Sequence, residues 1–185
     1  MGVALLVIVV AGACGEGGTP ADPGSGNEDT TTTAAAGGRF STTPVSVAGQ
    51  QRGLLAGVTA EAAGDHERVT FTFEGPLPGY RVEYTQRPLV EDGSGDEVAV
   101  DGDAVLSVHF EPASGADLSG DQLRMTYTGP RRIRADLAVV REVVRVTDFE
   151  ANLDWAIGLV GEVPFRVQTL RGPPRVVVDF QAPAP

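Results

Sequence analysis

Arg68-Val69-Thr70-Phe71-Thr72-Phe73-Glu74, followed by Gly75-Pro76-Leu77-Pro78-Gly79 and then Tyr80-Arg81-Val82-Glu83-Tyr84-Thr85, is the stretch that decides the fold. Val69, Phe71 and Phe73 alternate with Arg68, Thr70, Thr72 and Glu74, and Tyr80, Val82 and Tyr84 alternate with Arg81, Glu83 and Thr85. A two-residue period sends apolar side chains to one face and polar ones to the other, which is the signature of a half-buried strand and not of a helix. The prolines between the runs have fixed φ and no N–H to donate, so the reading is a pair of strands with a Pro-constrained connection.

Outward from this stretch the same period recurs. Leu106, Val108 and Phe110 carry it, as do Val140, Val144 and Val146 in a valine-rich run, Leu153, Trp155, Ile157 and Leu159, Phe165 and Val167, and Val176, Val178 and Phe180. With a first strand near Leu55 to Ala63, these predict an all-β domain, a β-sandwich of about eight short strands. Gly and Pro interrupt nearly every window long enough for a helix, and only Arg132 to Arg141 is expected to hold a short helical turn.

The chain has 185 residues, among them 24 Gly and 13 Pro. That is about a fifth of the chain, against roughly 12% in average soluble proteins. A hydrophobic fraction of 42% suffices for one core, and the length accommodates one domain plus a tail. The surplus Gly, Pro and Thr concentrate between Gly15 and Gly53, where almost no large apolar side chain occurs except Phe40. Residues 14–53 are therefore expected to form a flexible linker, 54–182 the domain and 183–185 a tail, because the linker composition cannot offset its ordering entropy by burial. Its Ser, Thr and Pro content also suits O-glycosylation.

Val3 to Val10 is continuously apolar and is followed by Ala11-Gly12-Ala13 and the lone Cys14. The uncharged stretch ends at Glu16, short of the roughly 20 residues a helix needs to cross a bilayer. It reads as a signal peptide over residues 1–13, although no Arg or Lys precedes the apolar run. The Ala-Gly-Ala-Cys junction resembles the lipobox of bacterial lipoproteins, with Ala11 in place of the more usual Leu, and implies that Cys14 becomes the lipidated first residue. Two acyl chains, at about 0.8 kcal/mol per buried CH₂, would anchor the chain stably to the outer face of the plasma membrane.

Every basic residue is Arg; there is no Lys, and the net charge is −11. An acidic chain argues against nucleic acid as a partner, since phosphate binding is driven by clustered positive charge. The missing Lys removes lysine-based catalysis and the phosphate-loop motif. Nucleophilic catalysis needs an activated nucleophile beside a base, yet the chain has only His66 and His109 and no G-x-S-x-G. His66-Glu67 begins like H-E-x-x-H, but Thr70 stands where the second zinc ligand belongs. No catalytic residue and no cofactor is expected.

Three clusters invite binding chemistry. Asp92, Ser94, Asp96 and Asp103 fall at positions 1, 3, 5 and 12 of a calcium-loop template, but Glu97 replaces the glycine at position 6, so a solvated acidic loop is the competing reading. Arg131, Arg132 and Arg134, with Arg141 and Arg145 following, suit either an anionic wall polymer or intramolecular pairing with nearby acids. Tyr80, Tyr84 and Trp155, with Arg81 beside them, are candidates to stack on and hydrogen-bond a sugar ring, though their period-two spacing equally suits core positions.

Leu77-Pro78-Gly79-Tyr80-Arg81-Val82-Glu83-Tyr84, Val146-Thr147-Asp148-Phe149-Glu150, Trp155-Ala156-Ile157-Gly158-Leu159, Pro164-Phe165-Arg166-Val167 and Pro173-Pro174-Arg175-Val176-Val177-Val178-Asp179-Phe180 together resemble the AMIN-like domain of actinobacterial lipoproteins. The approach to Arg68 through Asp65-His66-Glu67 departs from the family's usual pattern. The resemblance implies a β-sandwich without a catalytic motif, distantly similar to the AMIN domain that binds peptidoglycan, and partners that are a cell-wall polymer or an envelope protein.

Overall fold

The computed structural model describes residues 38–182, so the expected signal peptide, Cys14, the linker up to residue 37 and the tail at 183–185 lie outside the described residues. Thirteen strands follow one another: β1 (Val45–Val47), β2 (Gly53–Ala62), β3 (His66–Glu74), β4 (Gly79–Thr85), β5 (Ala104–Glu111), β6 (Ala113–Ser114), β7 (Ala116–Asp117), β8 (Arg124–Met125), β9 (Arg132–Arg134), β10 (Val140–Phe149), β11 (Asn152–Leu159), β12 (Phe165–Leu170) and β13 (Arg175–Gln181). The eight long ones are those the alternation predicts. The five others have two or three residues each, too few to show a period.

Two sheets pack face to face, one ordered β1-β4-β5-β11-β10-β9 and the other β12-β13-β3-β2-β6, with β7-β8 as a separate hairpin. Pairing is antiparallel except for the short β2/β6 contact. The inward residues of both sheets merge into one core that contains Val69, Phe71, Phe73, Val82, Val108, Phe110, Trp155, Ile157, Val176, Val178 and Phe180. Phe71 contacts Phe110 and Trp155 edge to face at centroid separations of 5.0 and 5.9 Å, a favourable arrangement of ring quadrupoles.

Two sequence expectations are corrected and a third is refined. The segment Gly75–Gly79 joins two strands as read, but not as neighbours: β3 and β4 belong to different sheets, and the Pro-rich connection crosses from one layer to the other. Gly75 takes φ +74, and a Cβ on Gly79 would collide with the backbone of Gly49 and Glu111, so this crossing is closely packed. The linker does not run to residue 53. Ser41 exchanges two backbone hydrogen bonds with Phe165 (2.9 and 2.8 Å), and β1 pairs with β4, so this segment straps the open side of the sandwich between β12 and β4. Val45 and Val47 pack against the core, which provides the burial that the Gly- and Thr-rich sequence before them lacks.

The helical turn expected over Arg132 to Arg141 is absent. Arg132–Arg134 forms β9, and the bend after it is held by the buried carboxylate of Glu67, which accepts from the Val139 N–H (2.9 and 3.0 Å) and the Val140 N–H (2.7 Å). A carboxylate that satisfies two backbone donors replaces the hydrogen bonds a helical turn would have made.

Candidate binding groove

The outer face of the six-stranded sheet is divided in two. Over one half lies the loop between β4 and β5, whose Leu89, Val98 and Val100 pack on Val105, Val144, Val146 and Ala156 as a second small apolar cluster. Two glycines permit this close approach: a Cβ on Gly158 would overlap the Asp101 carbonyl oxygen, and one on Gly102 would meet the Leu159 backbone. The loop is further fixed by Arg87, which donates to the carbonyls of Val100 (3.0 Å) and Gly102 (2.6 Å), and by Glu142, which accepts from the Asp101 N–H (2.6 Å) and pairs with Arg132.

The other half is open and forms a groove of about 1030 Å³. Ser46 to Gln50 form one wall; Arg81 and Glu83 of β4 and His109 and Glu111 of β5 contribute its polar side chains. The antiparallel register sets Arg81 opposite His109 and His109 opposite Asp154. Arg81 is exposed and pairs with Glu83 through two contacts (2.6 and 2.8 Å). His109 Nδ1 lies 2.7 Å from Asp154 and Nε2 3.6 Å from Glu111. The hydrogen bond to Asp154 raises the His109 pKa above the usual imidazole value, with burial opposing it. The groove thus offers donors and acceptors close together on rigid strands, which suits a polar, hydroxyl-rich ligand lying across the sheet.

The sequence candidates separate on this geometry. Arg81 lines the groove. Trp155 is fully buried between Phe71 and Tyr127 and is core, not a stacking platform; an inward position on a central strand leaves no ring face free. Tyr80 is 4% exposed, and its ring belongs to the same core. Tyr84 is half-buried, its hydroxyl donating to the Val163 carbonyl (2.7 Å) and accepting from the Val163 N–H (2.9 Å), which ties β4 to the approach of β12.

The calcium candidates are not gathered into a site. Asp92 uses its N–H on the Thr147 hydroxyl (2.7 Å), Ser94 and Asp96 share a tight turn with Glu91, and the Asp103 N–H donates to the Leu159 carbonyl (2.8 Å) at the far end of the loop. Among the described residues no three His, Cys, Asp or Glu side chains converge as metal ligands. Of the arginine cluster, Arg131 pairs with Glu91 (3.1 Å), Arg132 with Glu142 and Arg145 with Asp148 (3.9 Å), which favours intramolecular pairing. Arg134 and Arg141 are exposed without an ion pair among the described residues.

One polar centre was missed by the sequence reading. Asp179 lies on the outer face of the five-stranded sheet yet is fully buried. It accepts from Arg68 Nε (2.7 Å), Arg166 Nε (2.9 Å) and Gln168 Nε2 (2.8 Å), with His66 Nε2 at 3.5 Å. Burial by itself pushes this carboxyl pKa up, but the hydrogen bonds and charges of Arg68 and Arg166 outweigh it and hold the pKa below the usual value. Period two places Asp179 opposite the core side chains Val178 and Phe180, so an exposed acid is what the sequence suggests; only the neighbouring strands supply the guanidinium groups that enclose it.

A family model for the AMIN-like domain matches residues 53–182, which takes in the Asp179 centre and the β4 and β5 side chains of the groove but not its Ser46–Gln50 wall. No curated protein and no solved structure matches the chain. The matched region covers well over half of the sequence and takes in both sheets apart from β1, so the chain belongs to the AMIN-like domain family, a family of cell-envelope binding domains.

Proposed function

We propose that this protein is a non-catalytic, lipid-anchored binding module on the outer face of the plasma membrane, and that the groove over β4 and β5 recognises peptidoglycan or another wall component. The observation that carries the reading is the groove itself. It is open, about 1030 Å³, and lined by Arg81, Glu83, His109 and Glu111, while the loop over the other half of the sheet leaves this half bare. Sugar hydroxyls both donate and accept, so a mixed array of guanidinium, imidazole and carboxylate held by strands can pair with them without reorganising.

Sedimentation with purified cell wall tests this. The full chain is expected to co-sediment, and the double variant Arg81→Ala/Glu111→Gln, whose changes are at exposed side chains, to remain in the supernatant. Wall binding that the double variant retains would move the site elsewhere, and absence of binding by the parent protein would end the reading. The anchor is tested separately by incorporation of a lipid precursor, expected for the parent chain and lost in Cys14→Ala.

A second reading, an assembly subunit of an envelope complex, is favoured by a different observation. Leu118, Leu123, Met125 and Phe149 are 65%, 62%, 49% and 47% exposed and border a depression of about 480 Å³. Crosslinking in cells separates the two readings: a discrete protein adduct supports the assembly role, and a polymer smear supports wall recognition.

A further inference from the structure

We propose that the depression beside the β7–β8 hairpin is a self-association surface, and that its occupant is a second copy of this chain packed about a two-fold axis. Among the described residues five large apolar side chains are exposed, and four of them, Leu118, Leu123, Met125 and Phe149, border this one hollow of about 480 Å³. Exposed apolar residues scattered singly need no explanation; gathered around a hollow they mark a contact surface. The hollow also has a knob beside it. Leu118 and Leu123, the two most exposed of the five, flank the turn that joins β7 to β8, so the hairpin carries them at its tip. An isologous interface requires one patch to be complementary to itself, and a knob next to a hollow meets that condition: the leucines of each copy enter the hollow of the other.

Three further features fit this partner. Among the described residues β7 and β8 pair only with each other, and both residues of β8 are exposed, so two β8 edges can meet antiparallel across the axis. The free charges are also self-complementary. In the wall of the hollow Asp148 already accepts from the Ser114 hydroxyl and the Gly115 N–H (2.9 Å each), with Arg145 at 3.9 Å. That leaves Arg52 and Glu150, both exposed, as lining charges of opposite sign without an ion pair among the described residues. A two-fold axis lets Arg52 of each copy meet Glu150 of the other. The turn that carries Glu150 is strained: Glu150 and Ala151 take φ 49° and 66°, a left-handed backbone that glycine adopts freely and these residues do not. The Ala113 N–H, donating to the Ala151 carbonyl (2.8 Å), holds that turn at the rim of the hollow, and strain of this kind gathers at functional surfaces. The hollow shares no lining residue with the groove, so this inference is independent of wall recognition; it rests on the assembly reading for its surface and names the partner.

Two differently tagged full-length copies, expressed in the same cells with the photoreactive substitution Leu123→benzoylphenylalanine and irradiated in place, test the assignment. A covalent adduct of twice the chain mass that carries both tags is expected, and none from Arg134→benzoylphenylalanine on the β9 edge of the six-stranded sheet. Phe149→Asp is expected to lower the yield about tenfold, the scale of one lost interface anchor. Arg52→Glu and Glu150→Arg should each lower it and the two together restore it, a rescue that a misfolded variant could not show. The groove variant Arg81→Ala/Glu111→Gln should leave the yield unchanged. No doubled adduct, an adduct with a different protein alone, equal yield from the Arg134 position, or no rescue by the combined charge reversal would overturn the assignment. An adduct with a different protein alone would keep the assembly reading while ending self-association, and wall recognition by the groove stands or falls on its own sedimentation test.

Discussion

The two outer faces of the sandwich solve one problem differently. On the five-stranded sheet a single buried carboxylate, Asp179, collects Arg68, Arg166 and Gln168, and the face is covered by its own side chains. On the six-stranded sheet a loop covers half the face with apolar contacts, and the other half stays open around Arg81 and His109. The first arrangement is stiff because a buried charge tolerates no loss of a partner. The second is modular: a loop can shift without exposing the main core. The lesson is that where a face lies relative to water does not decide its chemistry; what the next strand or loop brings does.

The largest effect is expected at the stiff face. Asp179→Ala leaves two partly buried guanidinium groups without their acid and should cost about 3–5 kcal/mol, read as a lower urea midpoint. Since the folded pKa of Asp179 is depressed, its contribution is present above the unfolded value of 3.8 and is lost as pH falls through the folded pKa. Stability of the parent chain should therefore fall steeply below about pH 4, and Asp179→Asn should flatten that slope. Equal acid slopes in both proteins would show that Asp179 is not the anchor of this face.

An intermediate effect is expected at the modular face. Gly158→Ala forces the Asp101 backbone away, and overpacking of this kind costs about 1–3 kcal/mol. Amide exchange of Leu89 and Val98 should accelerate while that of Val69 and Phe71 changes little. If exchange rises uniformly instead, the loop and the main core form one cooperative unit and the contrast between the faces fails.

The smallest effect concerns His109. Its folded pKa is raised by Asp154, so the associated stability is present below the unfolded value of 6.5 and is lost as pH rises through the folded pKa. With the side chain a third exposed, the contribution should stay below about 1 kcal/mol. Asp154→Asn should lower the His109 pKa in a nuclear magnetic resonance titration, and an unchanged value would place the cause with Glu111 instead.

Much of the framework was legible because alternation is a local property. Val69, Phe71 and Phe73 point inward in the structure as their spacing requires, and Tyr80, Tyr84 and Trp155 point inward by the same rule, which disposes of the stacking role for Trp155. The short strands were not legible, since β1, β6 and β9 take their order from pairing with longer neighbours, and β7 and β8 from pairing with each other, rather than from any period of their own. Nor was the groove: Arg81 was named as a candidate, but His109 and Asp154 are 45 residues apart in sequence and meet only through the β5/β11 register.

The sequence by itself determined the all-β class, the eight long strands and the inward face of most of them, because burial on one side of a pleated strand must repeat every second residue; β10 is the exception, since its register breaks after Val140, Val143 joins the main core, and Val144 and Val146 face outward under the β4–β5 loop. The tertiary structure alone decided which sheet each strand joined, that the Pro-rich connection crosses between layers, and that Ser41 to Val47 belongs to the fold. It alone also decided that Asp179 is enclosed while Arg81 stays open. These depend on pairings between distant residues, whose free energy is realised only when the strands are already side by side.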